Sequence, residues 1–329
     1  MDATHSDIAI VGAGMAGLAC ATQLAAAGRD VRVFDKGRGP GGRMAARRAD
    51  VAGETVRFDH GAQYFTAREP AFREAVAAWE AQGVVARWPA AQTSSSDAAW
   101  VGVPGMNGPI KAMADTVAQA GREVLWNTRI EAVRREKDRW RLGSGKAVYT
   151  ADTVLIAIPA EQTRDLLAAC APAYAAIAAE VTSEPCWAVM VAFANALPIS
   201  RDASRDSAAP ISWAARNSSK PERGGGETWV LHASPQRSRE LIDTPREEVG
   251  PILLADFFDQ MQTKPVIPIH IAAHRWLYAR PASIKGDPAR YDRQAGLGIA
   301  GDYLHSPRVE GAWVSGAALA TIVLGKAQS

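Results

Sequence analysis

Short, continuous apolar runs alternate with glycine at the start of the chain. Asp7-Ile-Ala-Ile-Val11 has the unbroken hydrophobicity of a strand buried on both faces, and it leads into Gly12-Ala-Gly14-Met-Ala-Gly17. Leu18, Ala21, Leu24 and Ala25 then predict a helix ended by Gly28, and Val31-Arg-Val-Phe34 a second strand ended by Asp35. Phe72, Val76 and Trp79 on one side predict a helix over residues 70–82, and residues 92–98 read as a polar loop. Trp100 to Met106 leads into a helix through Ile110, Met113 and Val117. Val124–Trp126, Ile130–Arg134 and Trp140–Leu142 read as successive strands, and Asp152 to Ile158 as a buried strand that turns at Pro159. From about Glu161 to Gly296 the texture changes. Trp187, Trp213, Trp229 and Trp276 fall there, two polar loops (201–209 and 216–226) interrupt it, and a sheet with helices on one side is expected. A last strand ends in Gly301-Asp302, and a helix following Gly311 runs to about Leu324.

Composition narrows the class. With 329 residues, 47% hydrophobic and 22% charged, the chain can bury a large core, and on a prior of ~150 residues per domain it holds about two domains. Lys and Arg number 37 against 35 Asp and Glu, so no global charge points to nucleic acid or an anionic membrane. Cys20, Cys170 and Cys186 are scattered and lack CxxC spacing, which predicts reduced thiols, no metal site and a cytoplasmic protein. The Ala-rich stretch from Met15 to Ala27 has no basic leader ahead of it, only Asp2, His5 and Asp7, and no run reaches the ~18 apolar residues of a membrane span. Oligomeric state is open.

The opening unit carries chemistry. Gly12 allows a tight turn, Gly14 lets backbone approach a pyrophosphate, and Gly17 lets the helix pack on the strand. Ala13, Met15 and Ala16 complete a phosphate cradle at a helix N-terminus, with its unpaired N–H groups and partial positive charge. Asp35, 18 residues after Gly17, is placed to accept ribose hydroxyls. GxGxxG alone is weak, but here strand, helix and acid all stand at the required spacing. Lys36-Gly-Arg38-Gly-Pro-Gly41-Gly42-Arg43-Met44 adds a second glycine cluster and cations. FAD can use these and a simple NAD dehydrogenase does not need them. At the other end, Gly301-Asp302 brings an acceptor to the ribityl or phosphate region, and the following helix can aim its N-terminus at the flavin.

Asp35-Lys36 through Gly42-Arg43 is similar to the flavin amine oxidases, in which an acid, a basic residue and a Gly-Gly-Arg turn stand together. Together with that stretch, Phe58-Asp-His-Gly61-Ala62-Gln63-Tyr64-Phe65-Thr66 and Arg308-Val309-Glu-Gly-Ala-Trp313 closely resemble the bacterial renalases, as do Trp213 to Arg223, Trp229-Val-Leu-His232-Ala and Ala273-His274-Arg-Trp-Leu-Tyr-Ala-Arg-Pro281. The similarity covers nearly the whole chain. It implies an α/β fold, a Rossmann-type FAD-binding domain (1–68, 101–163 and 296–329) with an interleaved α+β substrate domain (69–100 and 164–295) of the p-hydroxybenzoate hydroxylase or amine oxidase kind. It also implies non-covalent FAD, contacted further by Gly61, Ala62, Gln63, the backbone of Ile130, Arg308 and Val309.

The activity implied is oxidation of the 1,2-dihydro and 1,6-dihydro isomers of NAD(P)H to NAD(P)+, with dioxygen giving hydrogen peroxide. A dihydropyridine is already a hydride donor, so no catalytic acid or base is required. Gln63, Tyr64, Trp187, Asn217, His232 and His274 are the candidate substrate-binding residues. Two other readings stand beside this one. A true amine oxidase should show an aromatic pair, yet Tyr303 is the only tyrosine near the C-terminal motif. A non-catalytic carrier, like the inhibitors of Rab GTPase recycling, has no use for intact glycine motifs. Covalent flavin attachment lacks a nearby cysteine, with His60 and His305 the remaining candidates.

Overall fold

The computed structural model describes residues 4–92 and 97–325, so residues 93–96 of the loop expected over 92–98 lie outside the described residues. The chain forms two compact units. The first takes the chain up to Gly42, Pro109–Ser183 and the chain from Pro281 onward; the second takes Arg43–Gly108 and Glu184–Arg280.

In the first unit the sheet order is Ala289–Asp292, Leu297–Ala300, Ala147–Ile156, Thr4–Val11, Val31–Phe34 and Glu123–Leu125. All but the edge strand Ala289–Asp292 run parallel. Ile10 sits between Val33 and Leu155 in the register, so the apolar run read at the N-terminus is a central strand. Arg139–Ser144 and Ala132–Glu136 fold back antiparallel onto Ala147–Ile156. Ile130, expected inside a strand, precedes one and is buried in the core with Val133, Trp140 and Leu142. The helix Met15–Ala26 follows the glycine turn, and Gly28 takes φ +77 just past its end. The C-terminal helix spans Val309–Val323, starting two residues before Gly311 rather than after it. Arg308 is extended at its N-cap, and Ala312 N bonds Arg308 O at 3.1 Å to close the first turn. Gly311 serves close packing instead, since a Cβ there would overlap Ser306 O.

The second unit is built on an antiparallel sheet in the order Ala203–Arg205, Ile211–Arg216, Glu227–Ala233, Ser183–Phe193, His270–Pro281. Strand alternation sorts its side chains. Trp187, Val189, Val191, Trp229, Leu231 and Ala273 pack with Leu253 and Phe257 of the helix Arg246–Gln260. Met190, Ala192 and Val230 pack with Val51, Val56 and Phe58 of the hairpin Arg47–Val51 and Glu54–Phe58. That packing explains why residues 43–68, assigned by sequence to the cofactor domain, cluster with the second unit. Ala175 and Ala178 share the first unit's core, and Ala289–Asp292 pairs with Leu297–Ala300, so residues 164–183 and 281–295 cluster there instead. Among the described residues no helix is long and apolar enough to cross a membrane.

Candidate functional site

The glycine turn of the first unit has a geometry that side chains would destroy at two positions and not at the third. Gly12 adopts φ +107 with its Cβ position against Ala157 O and Ile158, and a Cβ on Gly17 would overlap Gly12 O. Gly14, the N-cap of Met15–Ala26, has nothing within 4 Å of its Cβ position, and no side chain caps the helix start beside it. Asp35 closes the turn: its Oδ2 accepts Ala13 N at 2.7 Å and its Oδ1 accepts Gly37 N at 2.7 Å. Each oxygen keeps a lone pair for another donor. Lys36 Nζ donates to Gln162 Oε1 at 3.2 Å, and partial burial together with Arg129 lowers its pKa against the opposing pull of Asp35. Gly42 takes φ +53 with its Cβ position 3.5 Å from Gly14 Cα. Gly301 N donates to Ser315 Oγ at 2.8 Å, Asp302 is buried, and Arg308 is exposed at the helix start. A Cβ on Gly316 would overlap Ala16 O, so the C-terminal helix lies against Met15–Ala26 and the motifs from both ends of the chain meet. A cradle with open space at Gly14 and an acid at Asp35 fits a dinucleotide.

In the second unit the Gly61 turn is fastened to Arg43. Ala62 N donates to Arg43 O at 2.8 Å, and a Cβ on Gly61 would overlap that same oxygen. Beneath the turn lies a buried ion cluster. Asp59 Oδ2 receives Arg223 Nη2 at 2.7 Å and Lys220 Nζ at 3.2 Å, while Oδ1 accepts Met106 N at 2.9 Å. Burial alone would raise the Asp59 pKa, but Lys220 and Arg223 hold it below the usual carboxylate range. For Lys220 burial outweighs the attraction of Asp59, and its pKa falls to about 8.

Gln63 links this cluster to a group of rings. Its Oε1 accepts Lys220 Nζ at 3.1 Å; its Nε2 donates to Asp59 O, to Gly61 O at 3.1 Å and to His232 Nε2 at 3.3 Å. The two amide hydrogens are shared among these three acceptors, the two backbone carbonyls and the imidazole. His60 and His274 meet edge-on at 4.8 Å, His60 stacks on Trp276 at 5.1 Å, and His274 lies 4.4 Å from Trp276. Trp276 Nε1 donates to His60 O at 2.8 Å. Burial first, then neighbouring cations, holds the imidazoles neutral. His60 falls to about 3 through burial, His274 and Arg47; His232 to about 4 through burial and Lys220; His274 to about 4 through burial, Arg246 and Arg47.

Of the six substrate candidates, Gln63 and His232 are in contact at 3.3 Å, His274 is connected to them through His60, and Tyr64 stacks at 5.3 Å on Trp213, the strand partner of His232. Trp187 is on the opposite face of the sheet, in the core, with Nε1 donating to Leu241 O at 3.0 Å. Asn217 is fully buried, and its amide is spent on the backbone of Asp59 (3.2 Å) and Arg57 (2.8 Å). Sequence reading missed Asp59, His60, Lys220, Arg223 and Trp276 as members of this cluster. The even numbers of His270, His274 and Trp276 in one strand were a usable signal, since they share a face. Cys20, Cys170 and Cys186 are free thiols, and burial pushes Cys186 up to about 12.

Comparison with known proteins places this geometry. The family described as flavin containing amine oxidoreductase matches residues 85–324, and an NAD(P)-binding Rossmann-like domain matches residues 10–79. A protein of Exiguobacterium sp. 255-15, provisionally described as a protoporphyrinogen oxidase, is 15% identical with a TM-score of 0.73, over 99% of this chain and 100% of that one. A putrescine oxidase variant is 14% identical with a TM-score of 0.69, over 98% and 100%. Cyclohexylamine oxidase from Brevibacterium oxydans IH-35A is 14% identical with a TM-score of 0.62, over 97% and 99%. At these identities the likeness shows the fold, a Rossmann-like domain with an amine oxidase-like one.

Proposed function

Because the chain belongs to the flavin-containing amine oxidoreductase family, we propose that it is a renalase-type oxidase that converts the 1,2-dihydro and 1,6-dihydro isomers of NAD(P)H to NAD(P)+. The observation that carries this reading is the charge around Gln63, His232 and His274. The imidazoles are neutral, the charged groups acting on them are Lys220, Arg47 and Arg246, and the buried carboxylate, Asp59, is committed to Lys220 and Arg223. Such a surface can hydrogen-bond a carboxamide and attract phosphates, and no carboxylate is among the groups acting on these imidazoles.

Gly12, Ala13, Gly14, Met15, Ala16, Gly17, Asp35, Lys36 and Gly42 would hold FAD non-covalently, with Arg43, the Gly61–Ala62–Gln63 turn, Ile130, Gly301, Asp302, Arg308 and Val309 as further contacts. When bound, FAD supplies the hydride acceptor and the electrons that reduce dioxygen to hydrogen peroxide. The residues of the chain contribute position and a dry surface, because a dihydropyridine needs no deprotonation before it gives up hydride. Gln63 is held by its own hydrogen bonds; His274, Trp276 and Tyr64 are half-buried. The test is aerobic turnover of each dihydro isomer with NAD+ and peroxide both quantified. Equal yields of the two support the reading; no NAD+ from either isomer would overturn it. The likeness to putrescine and cyclohexylamine oxidases makes amine oxidation the second reading, and the same assay with amines tests it.

A further inference from the structure

The edge strand Ala203–Arg205 pairs Arg205 with Trp213. The Arg205 guanidinium carbon consequently stands 5.2 Å from the Trp213 ring centre and 5.5 Å from that of Tyr64, and the two rings are stacked. A hydrogen bond to the Tyr64 hydroxyl fixes the guanidinium further. Arg216 has Asp202 and Glu227 and Arg237 has Asp256, whereas Arg201 turns to Met261 Sδ and Arg275 to Ile242 O and the Trp187 ring. Arg205 likewise has no acid among the described residues, and it is the one of these three held over two rings. The adjacent Asp206 turns its carboxylate to Ala208 N at 3.0 Å. On the same stack Trp213 is 9% exposed, and its indole N–H is buried without a hydrogen-bond partner. Trp88 extends the rings, 6.4 Å from Trp213, and carries Lys220 Nζ 5.1 Å from its centre.

An exposed guanidinium that is already held over two rings and has no counter-ion suits bidentate binding of a phosphate oxygen pair. Its geometry is fixed in advance, so little more side-chain freedom is lost on binding. We propose that Arg205, mounted on the Tyr64–Trp213 stack, is an anion subsite that takes a phosphate or pyrophosphate group of the substrate. It is a specificity determinant separate from the imidazole group that meets the reacting ring. This rests on reading the substrate as a phosphate-bearing dihydronicotinamide.

The experiment compares the wild-type holoenzyme with Arg205→Ala and Arg205→Lys in anaerobic flavin reduction. The substrates are dihydronicotinamide riboside, the mononucleotide, the dinucleotide and its 2′-phosphorylated form. The expected result is a half-saturating concentration raised about tenfold or more by Arg205→Ala for phosphate-bearing substrates, the scale of one charge-assisted hydrogen bond. The riboside should be unaffected, limiting rates unchanged, and Arg205→Lys intermediate. Which phosphate-bearing substrate loses most identifies the phosphate that is read. Equal losses for riboside and dinucleotide, or none for either, would overturn the subsite. A second readout needs no turnover: inorganic pyrophosphate titrated against the tryptophan fluorescence of the oxidised holoenzyme should perturb the wild type and not Arg205→Ala. Identical titrations would also overturn the proposal. If no dihydronicotinamide bleaches the wild type, the substrate reading fails, and the pyrophosphate titration alone decides the subsite.

Discussion

Asp59 and Arg223 meet at 2.7 Å with no exposure of either side chain, and Lys220 approaches the same carboxylate oxygen. Through Met106 N and Asn217 Oδ1 the same residue ties the Gly61 turn to two other segments of the second unit. Removing the carboxylate leaves two buried cations with only neutral acceptors, Gln63 Oε1 for Lys220 and the carbonyls of Pro221 and Gly102 for Arg223. Asp59→Asn is expected to cost about 3–5 kcal/mol, the usual loss when one member of a buried ion group is deleted. Chemical denaturation checks this. Pairing Asp59→Asn with Lys220→Met should recover part of the loss, because one unpaired charge is then gone.

The glycines of the first turn separate folding from cofactor retention. Gly17→Ala drives a methyl into Gly12 O and should lower the melting temperature and the flavin content together. Gly14→Ala meets no protein atom within 4 Å, so the apo-protein should melt within about 0.5 kcal/mol of wild type, as substitutions away from special features do. Flavin retention should nonetheless fall, because the methyl would occupy the open space in front of the helix. Melting curves and the ratio of visible to protein absorbance on the same samples distinguish the two effects.

Acid should weaken the fold through the imidazoles. His60, His232 and His274 are held at about 3, 4 and 4 when folded, against an ordinary value near 6.5, so the unfolded chain binds more protons below that value. Their contribution is intact above pH 6.5 and declines as pH falls towards 4, by up to about 1.4 kcal/mol per pH unit for each of His60 and His232 and by less for the more exposed His274. The depressed carboxyl of Asp59 acts in the same direction at the acid end. Melting temperature against pH from 7.5 to 4.5 should slope downward in the wild type and less steeply in His60→Asn.

Trp187 and His274 are assigned to opposite faces of one sheet, and their substitutions should differ in kind. Trp187→Ala opens a cavity in the core and is expected to cost about 3–5 kcal/mol while leaving the ranking of substrates intact. His274→Asn should retain most of the stability and slow flavin reduction by a dihydronicotinamide roughly tenfold or more, through lost positioning. Stopped-flow reduction alongside thermal melts checks both.

The N-terminal strand, glycine turn, helix and Asp35 were readable because each is fixed by local chemistry: a buried run, a positive φ, a close approach, an acid at set spacing. The segment from residue 43 to 68 was harder to place. Its sequence motif adjoins the dinucleotide turn, but Val51, Val56 and Phe58 are claimed by a sheet whose strands lie far along the chain. The same long-range pairing hid Lys220 and Arg223, which read as members of a polar loop until Asp59 is seen between them. Trp187 faces the core because strand alternation, rather than residue type, decides its face. His232 and His274 were proposed from the resemblance, whereas the contact of His232 with the Gln63 amide is visible only in the fold.

The central claim is that the Gln63–His232–His274 group serves a dihydronicotinamide rather than an amine. Anaerobic mixing of the oxidised holoenzyme with 1,2-dihydro-NAD, 1,6-dihydro-NAD, ordinary NADH and a panel of amines, with flavin bleaching followed in the visible, tests it most directly. The account predicts rapid bleaching by a dihydro isomer and little by NADH or any amine; bleaching by an amine alone would contradict it.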